Sequence, residues 1–327
     1  WHWKMRTSSL VMQTQIPRNI EYRTLLTFST MNLCELLALR SDLHKCHKIY
    51  YFHENQLEYP TQENQERDFH YGWIQILSSM TADQVLFNSK YNMESFCSKI
   101  ESFLNQIPYH NHDYPNFKTL AKDIKKKCQV LYFPVDLPQS LKSVDIDWSL
   151  KSSSKPRILW NHRWEHDKNP ESFFHALYQL LEVTNEFELV VIGESYSETP
   201  EIFEEAKTKL APVIVHWGYA ESKDKYFELL KSCNIVVSSS IHEFFGVSIL
   251  EAIFAGAFPL CPKRLVYPEL LPERCLYSTD KQLFKALKDF VIFRPDALQQ
   301  KFQGLTQIVE KVLVERLKDD YENLLYR

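Results

Sequence analysis

Residues 234–260 read NIVVSSSIHEFFGVSILEAIFAGAFPL. The run 234–240 is short, apolar and β-branched, as a strand buried on both faces should be. From Val247 the apolar residues Val247, Leu250 and Phe254 recur at helical spacing, so a helix is predicted over 247–255. Gly246 stands at the joint. A glycine there lets backbone come close to a ligand, and the first-turn N–H groups and helix dipole favour an anion. Two acids frame the joint, Glu243 in the loop before it and Glu251 one and a half turns into the helix. That spacing does not place both carboxylates on one bond, as an acid–base pair would require. It suits two acceptors that read hydroxyl groups at either side of a central phosphate, the layout of a nucleotide sugar. Glu243 as a helix cap with Glu251 solvated is the alternative reading.

Outward from this stretch the same rhythm repeats. Strands are predicted at 48–53, 84–89, 129–134, 157–162, 187–193, 213–218 and 258–262, with helices at 92–106, 171–181 and 223–232. Alternation of strands with helices of this length implies an α/β chain with parallel sheets and right-handed crossovers. A Ser/Lys-rich stretch, DWSLKSSSKP (147–156), separates two such sets. Two doubly wound, Rossmann-like domains facing a cleft are therefore expected, with a ligand at the carboxyl ends of the strands.

The chain of 327 residues carries a formal net charge of -4, which gives no general support for nucleic-acid binding. Its 7 cysteines are dispersed, none in a C-x-x-C pair, and read as reduced thiols of a cytosolic or nuclear protein. No apolar run reaches membrane-span length and no signal peptide opens the chain, so no membrane partner is expected.

A second constellation follows the first strand of the second set. WNHRWEHDKNPESF (160–173) holds Arg163 and Lys168 ahead of a helix opened by Asn169-Pro170. Arg can grip a diphosphate bidentately and Lys acts as a point charge.

Arg-x4-Lys followed by Glu-x7-Glu, in this order, resembles the retaining family-4 glycosyltransferases of GT-B architecture. The resemblance implies that Arg163 and Lys168 hold the donor diphosphate. It implies that Glu243, Phe245, Gly246 and Val247 contact the donor sugar, that Glu251 binds the ribose, and that His53 faces the sugar from the first domain. Glu243, Arg163 and Lys168 are the expected catalytic set. YFPVD (132–136) looks like the interdomain turn, which predicts domains at 1–136 and 137–327.

The stretches YFHENQLEYP (51–60), QERDFHYGW (65–73), FNSKYNMESF (87–96), HWGY (216–219) and CPKRLVYPE (261–269) narrow the likeness. With the two motifs they resemble the family that mannosylates queuosine in tRNA. That implies GDP-mannose as donor and the queuosine of a tRNA anticodon loop as acceptor, in the cytoplasm or also the nucleus. Members of the family open with a further strand and glycine-containing loop before the WHW region, so an unpaired edge in the first sheet is expected.

Transfer needs negative charge on the leaving diphosphate to be stabilised. Arg163, Lys168 and the helix end at Gly246 supply that, so neither a cofactor nor a metal is expected. Retention at the sugar follows from the resemblance, and no residue stands out as a nucleophile. For the acceptor side, Glu54, Asn55 and the polar loop 55–67 are candidates. Local positive charge for tRNA is expected from Lys118, Lys122, Lys125 and Lys126 on one helix face, and from WHWKMR (1–6), where Lys4 and Arg6 interleave with aromatics. Two other readings stay open: the same fold with a glycan or lipid acceptor, and a nucleotide-sugar- or tRNA-binding chain without turnover. The sequence is silent on oligomeric state.

Overall fold

The computed structural model of the chain describes residues 2–58, 69–107, 116–138, 155–195, 199–293 and 298–326, with the single positions 141 and 146. Contacts divide it into two compact units, Trp1–Phe133 with Leu317–Arg327, and Pro134–Arg316.

The first unit holds helices α1 (His2–Arg6), α2 (Ser8–Gln15), α3 (Leu33–Leu39), α4 (Phe69–Thr81), α5 (Lys90–Leu104) and α6 (Phe117–Lys126). Its sheet is β1 (Thr24–Phe28), β2 (His47–Phe52), β3 (Gln84–Phe87) and β4 (Cys128–Val130), in that order and parallel throughout. The central strands are continuous apolar runs because both faces are covered: Ile49, Tyr50, Phe52, Val85 and Phe87 are fully buried. Side-chain caps start the helices. Ser89 accepts the Asn92 N–H at 3.1 Å and Asn116 accepts the Thr119 N–H at 3.1 Å.

The strand β1 is not among the predicted elements. TLLTF is short, with threonines at 24 and 27 on either side of two leucines, and lies at the edge of the sheet, half-exposed, with β2 as its only partner among the described residues.

The second unit is a six-stranded parallel sheet in the order β10-β9-β8-β5-β6-β7. The strands are β5 (Arg157–Asn161), β6 (Glu188–Ile192), β7 (Ile214–Gly218), β8 (Ile235–Val237), β9 (Phe258–Pro262) and β10 (Leu276–Tyr277). Helices α7 (Pro170–Val183), α8 (Ile202–Lys209), α9 (Lys223–Ser232), α10 (Val247–Phe254), α11 (Tyr267–Leu270), α12 (Asp280–Phe293), α13 (Leu298–Phe302) and α14 (Leu305–Glu310) accompany them. An aromatic cluster fills one side of the sheet: Trp164 stacks on Phe203 at 4.3 Å, and Trp160 meets Phe203 edge-on at 5.5 Å. The chain winds outward from β5 through β6 to β7, then returns to the other side of β5 as β8. A topological switch point therefore lies at the carboxyl ends of β5 and β8.

The observed division differs from the expected domains in two places. Val135 donates its N–H to the Val312 carbonyl at 2.8 Å and accepts from the Val314 N–H at 3.1 Å. This bridge draws the turn 134–136 into the second unit, so the division falls after Phe133 and not after Asp136. The last helix, α15 (Val314–Leu325), was expected wholly in the second domain, yet its residues from Leu317 onward group with the first unit. Leu324 packs with Ile49, Tyr51 and Leu86, and the Tyr321 hydroxyl donates to the Tyr132 carbonyl at 3.0 Å. Burial of those side chains against the first sheet decides their membership.

Candidate donor site at the switch point

The loops after β5 and β8 are laced together by hydrogen bonds. Ser239 Oγ donates to the Lys168 carbonyl at 2.8 Å, and the Ile241 N–H donates to the Asp167 carbonyl at 2.9 Å. Lys168 ends a short 3-10 turn, and Asn169 in the left-handed region (φ 49°) turns the chain into α7 at Pro170. These contacts bring Lys168 and Glu243 together. The Lys168 ammonium is buried and donates to the His242 carbonyl at 3.0 Å, with Asp167 at 3.2 Å and Glu243 at 3.4 Å. Burial opposes its charge, but Glu243 and Asp167 outweigh that and its pKa is raised.

Glu243 lies across the entry to α10. Its Oε1 accepts the N–H groups of Phe244 at 3.1 Å, Phe245 at 3.3 Å and Gly246 at 3.0 Å. Burial would raise its pKa, but Lys168 and these N–H groups hold it below the ordinary carboxylate range. Gly246 has φ 79°, and a Cβ there would meet the Tyr267 ring at 3.4 Å, so glycine suits both the conformation and the space. Glu243 thus ties the loop ahead of the helix and does not cap the helix itself, which has no side-chain cap at Gly246. Among the described residues the Val247 and Ser248 N–H groups, one turn on, make no hydrogen bond and stay open to an anion.

The other predicted residues of this unit lie close by in the fold. Arg163 is half-exposed and pairs with Glu165 at 3.2 Å. Glu251 is only partly exposed, and the Tyr226 hydroxyl donates to its Oε2 at 2.7 Å. Burial raises the Glu251 pKa, and the Tyr226 bond works against that rise. Behind Tyr226, Asn161 donates to the Ser248 carbonyl at 2.9 Å. Next to it, His162 is buried, and burial together with Lys168 pushes its pKa down to about 4, so the ring is neutral. Asn161, His162, Asp167, Tyr226 and His242 are not among the predicted residues. A signal existed for Asn161 and His162 alone, which stand at the end of a predicted strand.

In the first unit His53 directly follows β2 and sits among Phe28, Tyr51 and Phe133, with ring centroids 4.9–5.3 Å away; burial lowers its pKa. Glu54 is partly exposed and accepts from Gln56 at 3.1 Å. Asn55 does not fit its expected acceptor role. It is 0% exposed, donates to Asn92 Oδ1 at 2.8 Å and Ser95 Oγ at 3.0 Å, and accepts the Glu58 N–H at 2.9 Å. Those bonds satisfy the amide internally, so Asn55 shapes its loop from inside. Residues 59–67 of that loop lie outside the described residues.

On α6, Phe117 and Ile124 are buried while Lys118, Lys122 and Lys125 project to solvent. Lys126 is exposed too, and its ammonium pairs with Asp123 at 2.7 Å. At the start of the chain Trp3 is 76% exposed and the Arg6 guanidinium lies 5.7 Å from the Tyr71 ring. Among the described residues no group of three or more His, Cys, Asp or Glu side chains is arranged to hold a metal ion. No described helix is long and apolar enough to cross a membrane.

Comparison with known proteins places the chain in a family. Residues 1–135 match the family described as tRNA-queuosine alpha-mannosyltransferase N-terminal, and residues 144–273 match glycosyl transferases group 1. Among solved structures, a sucrose-phosphate synthase from Thermosynechococcus elongatus aligns with TM-score 0.72 at 15% identity, over 98% of this chain and 77% of that one. Anabaena HepE in complex with UDP aligns with TM-score 0.64 at 14% identity, over 98% of this chain and 81% of that one. The fold is thus the GT-B glycosyltransferase fold. The tRNA-queuosine alpha-mannosyltransferase of Drosophila melanogaster is 44% identical over 294 residues, which are 89% of this chain and 76% of the fly protein. This chain therefore belongs to the tRNA-queuosine alpha-mannosyltransferase family.

Proposed function

We propose that the chain transfers mannose from GDP-mannose to the queuosine of a tRNA anticodon loop, with retention at the sugar. Membership of the family, at 44% identity over most of the chain, carries this reading. The site supports it physically. At the switch point a glycine-led helix end, Arg163, Lys168 and two acids stand within reach of one extended ligand. On this reading Arg163 and the open N–H groups of α10 hold the donor diphosphate. Glu243, Phe245, Gly246 and Val247 meet the sugar, and Glu251 meets the ribose. His53 stays a candidate for contact with the donor sugar.

Charge that develops on the leaving diphosphate is met by the guanidinium, the ammonium and the helix end. These groups supply what a metal would otherwise supply, so the proposed reaction needs none. The exposed Lys118, Lys122 and Lys125 give α6 a basic face for the phosphates of tRNA. Glu54 remains a candidate on the acceptor side. The compartment that fits such a substrate is the cytoplasm, with the nucleus as a second place of action.

The test is direct. The chain is incubated with GDP-mannose and queuosine-containing tRNA, the tRNA is digested, and the nucleosides are weighed. A product heavier than queuosine by one hexose is the expected result. Its absence, with donor hydrolysed or passed to a glycan or lipid instead, overturns the acceptor.

A further inference from the structure

We propose that Tyr226 is a positioning residue that holds Glu251 with one carboxylate oxygen engaged and the other free, and so sets how strictly the site demands a ribose hydroxyl. This rests on the reading of Glu251 as the ribose acceptor.

Three elements meet at the Tyr226 hydroxyl. Tyr226 lies in the first turn of α9, whose entry is capped by Ser222 accepting the Lys225 N–H at 3.1 Å. Asn161 is the last residue of β5, and Glu251 lies on α10. The direction of each hydrogen bond can be worked out. Asn161 is 95% buried by its 5% exposure, and its Nδ2 faces the Ser248 carbonyl at 2.9 Å and the Tyr226 hydroxyl at 3.4 Å. A carbonyl can only accept, so the Asn161 amide must present its N–H₂ there. The Tyr226 oxygen therefore accepts from Asn161, and its one proton is left for Glu251 Oε2 at 2.7 Å. A bond of that length from a hydroxyl to a carboxylate is charge-assisted and directional.

The consequence falls on the other oxygen. Among the described residues Glu251 Oε1 makes no hydrogen bond, and Glu251 is partly exposed. One lone-pair edge of the carboxylate is fixed by the protein and the opposite edge is presented for a ligand hydroxyl. Asn161 adds a second service, since its bond to the Ser248 carbonyl ties the first turn of α10 to the end of β5. The open N–H groups at the start of α10 and the free edge of Glu251 are thereby held in one fixed relation. Without the Tyr226 hydroxyl the carboxylate can rotate, and a partly buried carboxylate loses a donor that favours its ionised form.

The experiment measures binding of GDP, 2′-deoxy-GDP and 3′-deoxy-GDP to the full chain by calorimetry, from pH 5 to pH 8. The wild type, Glu251→Gln, Tyr226→Phe and Asn161→Ala are compared, with thermal melting to confirm that each is folded. A hydrogen bond to a charged acceptor makes about tenfold or more discrimination against one deoxy analogue the wild-type expectation. Glu251→Gln brings that ratio close to unity. Tyr226→Phe cuts it at least about threefold and moves the acid loss of GDP binding to higher pH. Asn161→Ala acts in the same direction and serves if Tyr226→Phe fails to fold. If Glu251→Gln removes the discrimination while Tyr226→Phe and Asn161→Ala leave ratio and pH profile unchanged, the role of Tyr226 is wrong and the ribose reading stands. If Glu251→Gln leaves the ratio unchanged, or the wild type does not bind GDP, the reading of Glu251 fails and the proposal with it.

Discussion

Replacing Lys168 by methionine removes the one ammonium that faces both buried carboxylates of the donor site. Lys168 is 7% exposed, so water does not screen the change. Its ammonium lies 3.2 Å from Asp167 and 3.4 Å from Glu243, whose side chains are 10% and 19% exposed. Removing one partner of a buried ion pair costs about 3–5 kcal/mol, because the other charge is left uncompensated. Glu243 keeps three backbone N–H donors and Asp167 keeps His242 at 3.8 Å, so the lower end applies, about 3–4 kcal/mol. For a unit of this size that is a fall in Tm of roughly 6–16 °C. Adding Glu243→Gln to Lys168→Met removes one stranded charge and restores about 1–2 kcal/mol. Turnover does not follow stability. It falls at least about 100-fold in the single variant and stays down in the double one, since a group that meets the leaving diphosphate is still missing. Denaturant melts and single-turnover transfer on the same preparations measure both. A Lys168→Met protein within about 1 kcal/mol of wild type refutes the charge argument, and one with unchanged turnover refutes the assignment to the diphosphate.

His162 has a pKa of about 4 against an ordinary 6.5, so between those values the unfolded chain binds a proton that the folded chain does not. Stability therefore falls as pH drops from 6.5 to 4, by about 3 kcal/mol from this group, and His162→Gln flattens that part of the profile; denaturation at fixed pH steps is the check. Leu324→Ala, at a side chain 7% exposed against the first sheet, costs about 2–4 kcal/mol in a denaturant melt. A cost below about 1 kcal/mol separates the C-terminal segment from that core. Lys122→Ala with Lys125→Ala lowers tRNA affinity and reduces the salt slope of binding by about 1 for each lysine, read by filter binding across salt concentrations. An unchanged slope removes α6 from the tRNA surface.

Much of the second unit is legible in its sequence because buried parallel strands are written as uninterrupted apolar runs. RILWN and ELVVI each appear within a residue of where they were predicted, while the strand predicted over 234–240 is shorter, Ile235–Val237. The diphosphate and hydroxyl candidates are legible for a different reason, since they sit at strand ends where an α/β sheet places ligands. What escaped depends on chain distance. Asn55 reads as a polar loop residue because nothing local announces Asn92 and Ser95, which α5 brings to it from 37 and 40 positions away. Tyr226 is an unremarked aromatic in a helical stretch until β5 and α10 close around it. β1 is half-exposed at an edge, so its threonines weaken the apolar signal. The return of residues 317–327 to the first unit is a matter of packing at a sequence separation of about 270, which no periodicity encodes.

Both cations at the switch point already face acidic partners before a donor arrives, and the difference in their burial divides their work. Lys168 is buried against Asp167 and Glu243, so its charge is already met and its position is fixed. Arg163 is half-exposed and its ion pair with Glu165, at 3.2 Å, is open to solvent, where such a pair is weak. On the proposed reading, the incoming diphosphate is met first by Arg163 and by the open N–H groups of α10, which need no rearrangement. The contribution of Lys168 grows later. As the sugar–phosphate bond lengthens, negative charge accumulates on the leaving oxygen, while Glu243 is drawn toward the sugar and shares less of the ammonium. An ammonium already desolvated responds to that redistribution without the reorganisation that water would require. The burial that makes Lys168 costly to remove is then also the condition that makes it useful in the transition state, and Asp167 is what keeps it charged in between.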